Sequence, residues 1–192
     1  MNPSWQALLT HRSTLVTVAC AGLMSSLLAS MGRRLWCACG TATPWSFDTW
    51  SSHNSQHLLD PYTASHVLHG VLFFALLWPL GHRLHIGWRA SIATLIEAVW
   101  EVAENSPVII ERYRENTVSL DYFGDSIANS LGDLASCLVG FAIAARLPWR
   151  VSLGLFILTE LVMAWWIRDN LTLNVIMLVH PLESIRAWQM AY

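Results

Sequence analysis

Charge is what this chain has least of. Of its 192 residues only 12% are Asp, Glu, Lys or Arg, about half the roughly 25% of an ordinary soluble domain. Lysine is absent, so the 11 basic residues are all arginine. A bias in nucleotide composition accounts for that, and no functional reading is attached to it. No basic run of the kind that binds nucleic acid is present, nor a P-loop, an H-E-x-x-H or a soluble nucleophile motif. No internal repeat or low-complexity segment divides residues 1–192, which read as one domain. Cysteine is scarce, with 4 in all. Cys20 and Cys137 lie in apolar runs and read as packing residues. Cys37 and Cys39, in "LWCACG", fall in a polar loop. A C-x-C pair is too tight for an easy mutual disulfide and by itself too sparse for a zinc site. With help from elsewhere it holds a metal or pairs with another chain; otherwise it is an ordinary turn.

What the chain has in abundance is apolar surface: 54% hydrophobic residues, a mean hydropathy of +0.42 and 11 Trp. Most of the Trp sit near the ends of apolar runs, as expected of rings anchored at the headgroup level. A membrane span needs about 20 predominantly apolar residues. Residues 13–32 qualify without a charge, and are long for the apolar core of a signal peptide. Further runs fall at about 64–81, 88–107, 124–145 and 149–168. The expected fold is therefore all-α: a polytopic transmembrane helix bundle of about five spans, with the lipid bilayer as its partner. The segment 171–190 is interrupted by Pro181 and reads as a short re-entrant or interfacial helix, with a sixth span as the alternative. The short, basic loops around Arg12, Arg83, Arg89, Arg146 and Arg150 favour a cytoplasmic N-terminus.

The polar exceptions are not scattered. In "LIEAVWEVAENSPVII" the carboxylates Glu97, Glu101 and Glu104 share one helix face, followed by Asn105. "DPYTASHVLHG" places His66 and His69 one turn apart at the start of the preceding span. "DYFGDSIANSLGD" sets Asp121, Asp125, Asn129 and Asp133 at i+4 steps, which drift about 40° each around a helix. In that stretch Gly124 and Gly132 allow close helix approach. Consecutive spans alternate in direction, so all of these residues fall in one half of the bilayer. A carboxylate near a helix centre costs roughly 2.5–3.5 kcal/mol on insertion scales, and acids outnumber bases here. Protons, a water-filled cavity or a divalent cation must offset the excess. Glu160, alone in its span, reads as an interhelical hydrogen-bond partner rather than a catalyst.

Were a metal bound, His66, His69, Glu101 and Asp125 are the candidate ligands. Histidine with carboxylate suits Zn²⁺ or Mn²⁺, and carboxylate alone suits Mg²⁺ or Ca²⁺. Glu101, Glu104 and Asp125 are the catalytic candidates, with Glu101 or Glu104 as general base. Glu97, Asn105, Asp121, Asn129 and Asp133 form the supporting polar network.

The motifs "WCACG", "NSQHLLDPYTASHVLHG", "EAVWEVAENSPVIIERYRE" and "DYFGDSIANSLGDLASCLVG", with the C-terminal "HPLESIRAWQ", resemble an uncharacterised family of bacterial multi-pass membrane proteins, a domain of unknown function. The resemblance runs from about Trp36 to the C-terminus and implies an integral protein of the bacterial inner membrane, its activity unassigned. A more distant resemblance is to VanZ-like membrane proteins, in which His66, Glu101, Asp125, Asn129 and Gly132 would occupy matching positions; it bears on architecture only. The C-x-C loop and the extra acids depart from that pattern. Two functional classes follow. One is a metal-assisted membrane enzyme acting on a lipid or envelope-linked substrate. The alternative is a non-enzymatic accessory or scaffold protein whose polar network is structural or conducts protons or ions.

Overall fold

The backbone is helical because long apolar runs are punctuated by few breakers, and several of the breaks fall at a proline: Pro79, Pro107, Pro148 and Pro181. The structure, a computed structural model, describes residues 11–117 and 121–191. Among them the helices are α1 (His11–Ser30), α2 (Thr63–Leu76), α3 (Ile86–Glu104), α4 (Pro107–Asn116), α5 (Ile127–Ala144), α6 (Trp149–Trp166), α7 (Leu171–Val179) and α8 (Glu183–Met190), with a 3-10 turn at Trp78–His82. There is no strand among the described residues, only an isolated bridge between Trp45 and Leu59. The all-helical expectation holds.

The expected five spans do not. Among the described residues three helices, α1, α5 and α6, are long and apolar enough to cross a membrane. The run 64–81 was expected to span, but α2 stops at Leu76 and tightens into the 3-10 turn around Pro79. Its 14 residues reach only about 21 Å at 1.5 Å per residue, short of a hydrocarbon core of about 30 Å. The run 88–107 forms a 19-residue helix, yet Arg89, Glu97, Glu101 and Glu104 lower its apolarity. That helix also ends earlier than expected. A proline lacks the N–H that a helix interior needs and biases the preceding residue to extended backbone. Ser106 is accordingly extended, at φ −74° and ψ 150°, and caps the new helix α4 by accepting a hydrogen bond from the Ile109 amide. The stretch 171–190 divides into two short helices on either side of Pro181, neither long enough to cross.

The closest packing is between α2 and α5. A Cβ added to Gly70 on α2 would collide with the carbonyl oxygen of Cys137 on α5. One added to Gly140 on α5 would collide with the carbonyl of Val67 on α2. The two backbones therefore touch through reciprocal glycines. Gly124 and Gly132, expected to serve helix approach, do something else: Gly132 lies under the Leu58 carbonyl of the long loop, and Gly124 precedes α5 beside the Arg33 guanidinium. Helix α1 lies along α3 and contributes Met24 and Leu28 to a core with Ala98, Ile127 and Leu134.

Helix α6 is apolar on nearly every face, and Leu153, Leu155, Ile157, Leu158, Leu161 and Val162 are all exposed. Trp149 and Trp165 stand exposed near its two ends. An exposed band this continuous suits lipid, with the rings at the two interfaces. The one acid of this helix, Glu160, is buried and caps α7. Its two carboxylate oxygens accept the amides of Leu171 and Thr172, each at 3.0 Å. The opposite end of α7 is closed by Arg112, whose guanidinium donates to the carbonyls of Leu178 (2.8 Å) and Val179 (3.2 Å). Negative charge at the helix N-terminus and positive charge at the C-terminus both complement its dipole.

Candidate functional site

The close α2–α5 contact brings α2 against α3 as well, and His66, His69, Glu104, Asp125, Asn129 and Asp133 line a cavity of about 310 Å³, while Glu97 and Glu101 are buried beside these residues and outside the lining. The reason is the i, i+3/i+4 geometry of a helix face. His66 and His69 are one turn apart on α2, and Glu97, Glu101 and Glu104 follow the same face of α3. Glu97 is completely buried and is shared by both histidines. His66 Nδ1 lies 2.6 Å from Glu97 Oε1, and His69 Nδ1 lies 3.1 and 3.0 Å from the two Glu97 oxygens. An ionised carboxylate only accepts, so both histidines donate through Nδ1. His66 Nε2 faces Asp133 Oδ2 at 3.9 Å.

Glu101 sits one turn beyond. It is fully buried, with its Oε1 3.5 Å from His66 Nδ1. Neither of its oxygens has a hydrogen-bond partner, and the same holds for Oδ1 of buried Asp133. Buried polar atoms are nearly always satisfied, so this carboxylate is out of the ordinary. Two sets of donor atoms come within 4.8 Å of one another: His66, Glu101 and Glu104 form one, and His66, His69 and Glu97 the other.

Asp125 and Asn129 point into the same space but are partnered. Asn105 donates to Asp125 Oδ2 at 2.7 Å and accepts the Asp125 amide at 2.8 Å, while Tyr122 donates to Asp125 Oδ1 at 2.9 Å. Asn129 donates to the His57 carbonyl and to Asp60 Oδ2. Asp121 lies on the surface, exposed, apart from the cavity lining.

Three contributors had no place in the sequence reading. Asp60 is buried and caps α2, with Oδ1 accepting the Thr63 amide and its own amide donating to the Thr63 hydroxyl. The pattern D-x-x-T ahead of an apolar run is the signal that would have found it. Burial pushes the Asp60 carboxyl above the usual range. Tyr113 and Tyr122 also line the cavity, and burial together with the nearby acids raises both hydroxyls well above the ordinary tyrosine value. Apolar walls come from Phe73, Ile96, Trp100, Leu171 and Val175. The lining thus combines titratable and polar side chains with apolar ones.

These features define an all-helical protein with three membrane-length apolar helices and a buried histidine–carboxylate cavity. The chain belongs to the family described as "Protein of unknown function (DUF2585)", which matches residues 28–191. It is 52% identical to a UPF0314 protein of Paracoccus denitrificans over 161 residues, 84% of this chain and 83% of that one. A UPF0314 protein of Sinorhizobium fredii is 48% identical over 183 residues, 93% of each chain. One from Rhizobium meliloti is 49% identical over 186 residues, 93% of this chain and 92% of the relative. No solved structure matches the chain.

Proposed function

We propose that this is a multi-pass protein of a bacterial inner membrane, and that its cavity is the centre of a metal-assisted reaction on a lipid or envelope-linked substrate. The observation that carries the reading is Glu101, a fully buried carboxylate whose two oxygens lack hydrogen-bond partners beside His66 and Glu104. A divalent cation would offset that burial, and the mixed nitrogen–oxygen donor set suits Zn²⁺ or Mn²⁺. Glu97 then acts as the carboxylate behind both histidines, fixing their tautomer and orientation. A cation held there would polarise a phosphoryl or carbonyl oxygen or activate water, with Glu104 or Asp125 as general base at the cavity wall. The apolar wall at Phe73, Ile96 and Trp100 accommodates an acyl or isoprenoid chain. The VanZ-like likeness adds only a proposed kinship of architecture.

A second reading has its own support. The Asn105–Asp125–Tyr122 and Asn129–Asp60–Thr63 bonds close on themselves, as a structural network in an accessory or scaffold protein would. One experiment separates the two. Metal content of untagged, detergent-purified protein is compared with that of Glu101→Gln and His66→Gln, and each variant is tested for complementation of a deletion strain at equal abundance. The enzyme reading expects loss of an oxygen/nitrogen-bound metal and failure to complement. Full complementation by Glu101→Gln at unchanged metal content would sink it and favour the structural reading.

A further inference from the structure

The second cluster of ligand-type side chains lies outside the cavity, in the long loop between α1 and α2. Cys37 Sγ is 3.3 Å from His53 Nδ1, and Cys39 Sγ is 3.6 Å from His57 Nε2. The four donor atoms all lie within 4.8 Å of one another, and both cysteines are free thiols. In a tetrahedral Cys₂His₂ zinc site the metal–sulfur and metal–nitrogen bonds are about 2.3 and 2.0–2.1 Å, which puts sulfur and nitrogen about 3.6 Å apart. The Cys39–His57 pair has that separation, and the Cys37–His53 pair, at 3.3 Å, would open slightly to admit the ion. We propose that Cys37, Cys39, His53 and His57 form a closed, four-coordinate structural Zn²⁺ site that staples the two arms of this loop together.

The surrounding groups are arranged for ligation. The Thr43 carbonyl lies 2.6 Å from His57 Nδ1. A carbonyl only accepts, so Nδ1 carries the hydrogen and the Nε2 lone pair is directed at Cys39. The edge of Trp36 packs on the same ring, with centroids 5.6 Å apart. Each sulfur has a further polar neighbour: the Cys39 amide donates to Cys37 Sγ at 3.4 Å, and the Thr41 hydroxyl lies 3.1 Å from Cys39 Sγ. A lone cysteine–histidine nucleophile would need one such pair; here two pairs converge. Two thiolates with two imidazoles in a tetrahedral arrangement select Zn²⁺ over Mg²⁺ or Ca²⁺. Binding displaces the two thiol protons and forms two Zn–S and two Zn–N bonds, with no change of oxidation state.

The purpose of the staple is visible in what the two arms do. A helix N-terminus leaves unsatisfied amides, and those of α5 are met by this loop. The Arg34 and Leu35 carbonyls, just before Cys37, accept the Ile127 and Ala128 amides at 2.8 and 3.1 Å. The Ser55 carbonyl, between His53 and His57, accepts the Ser126 amide at 2.9 Å. His57 itself supplies the carbonyl held by Asn129 at 2.9 Å. Zinc would thus lock the arms that cap α5 and set Asn54, Ser55 and Asp60 over the cavity. The sequence pattern left a metal here open only with help from elsewhere, because C-x-C supplies two ligands. The full spacing is C-x-C-x13-H-x3-H, one residue tighter between the cysteines than the usual knuckle.

The test uses untagged full-length protein in detergent, purified under reducing conditions. Elemental analysis should give one Zn²⁺ per chain that survives in Glu101→Gln and is lost in Cys39→Ser and in Cys37→Ser. Because those variants could misfold, the wild-type protein is also stripped with a chelator and reloaded with Co²⁺. A thiolate-to-cobalt charge-transfer band with intense visible bands of a tetrahedral ion is expected. X-ray absorption of the zinc form should show two sulfur neighbours at about 2.3 Å and two nitrogens at about 2.0–2.1 Å. Chelation should also lower hydrogen-exchange protection of the Ile127 and Ala128 amides, with recovery on adding Zn²⁺. Absence of the charge-transfer band in protein with both thiols reduced, an oxygen/nitrogen-only zinc environment, or a Cys37 or Cys39 disulfide in protein prepared without oxidant would each overturn the proposal. The thiolate signature reports on this site alone, so the cavity reading stands or falls separately.

Discussion

Glu97→Gln keeps the shape of the side chain and removes the charge that two histidines share. His66 and His69 each direct Nδ1 at the Glu97 carboxylate, at 2.6 Å and at 3.0–3.1 Å. Gln keeps one acceptor oxygen, but it removes the negative charge that both N–H groups share and sets an amino group 3.0 Å from His69 Nδ1 in place of an acceptor. A buried hydrogen bond to a charged group contributes about 1.5–3 kcal/mol, and breaking a buried ion pair from one side costs about 3–5 kcal/mol. For a chain of this length each kcal/mol lowers the melting temperature by roughly 2–4 °C, so the expected fall is roughly 6–20 °C. Thermal unfolding in detergent, followed by tryptophan fluorescence, reads it directly. A double-mutant cycle sharpens the test: in a His69→Ala background part of the Glu97→Gln penalty should vanish, because one of the two donors is gone. If Glu97→Gln melts within about 2 °C of wild type, Glu97 is not the hub of the cluster, and the tautomers assigned to His66 and His69 lose their basis.

Other outcomes follow from single contacts. In metal-free protein Glu101→Met replaces a buried carboxylate that lacks a hydrogen bond with an apolar side chain of similar length and should stabilise the fold by about 1–3 kcal/mol while abolishing complementation; a stability loss in the metal-free state would mean that the ion pair with His66 outweighs the burial cost. Glu160→Ala orphans the Leu171 and Thr172 amides at about 1–3 kcal/mol each, and hydrogen exchange should speed up at those two positions first. Gly140→Ala drives a Cβ into the Val67 carbonyl and should cost about 1–3 kcal/mol or more, whereas Gly22→Ala, inside helix α1 with open space around it, should raise the melting temperature slightly through the helix propensity of Ala, worth up to about 1 kcal/mol. In metal-free protein the hydrogen bonds from Thr41 and Cys37 lower the Cys39 thiol to about 6. Below that pH the thiol is protonated and unreactive, so alkylation should rise through pH 6 and level off near pH 8. Thr41→Val should move the midpoint up, and a wild-type midpoint near the ordinary value of about 8.5 would refute the assignment.

The candidate cluster was legible to an unusual degree because it rests on local spacing. His66 with His69, and Glu97 with Glu101 and Glu104, share faces by helix periodicity alone, and alternating direction puts α2, α3 and α5 polar ends together. What periodicity does not carry is which of these groups are partnered. Asp125 and Glu101 looked alike in sequence, yet Asp125 is bonded to Asn105 and Tyr122 while Glu101 has no partner. Asp121, in the same i+4 series, falls before α5 begins and stays exposed. Span counting failed for two reasons: the break at Pro79 leaves α2 too short, since hydropathy does not register a missing amide, and Arg89, Glu97, Glu101 and Glu104 leave the 19-residue α3 too polar. His53 and His57 were invisible because their partners, Cys37 and Cys39, lie in a different arm of an irregular loop, where no period links them.

By itself the sequence determined that the chain is helical, strongly apolar and acidic on one helix face, because those properties depend on residues within a few turns of one another. Only the tertiary structure decided how closely α2 and α5 approach, since Gly70 and Gly140 act through carbonyls of the opposite helix. It also decided which carboxylates are left without a hydrogen bond, and which cysteines and histidines meet, since both depend on contacts between residues far apart in the chain.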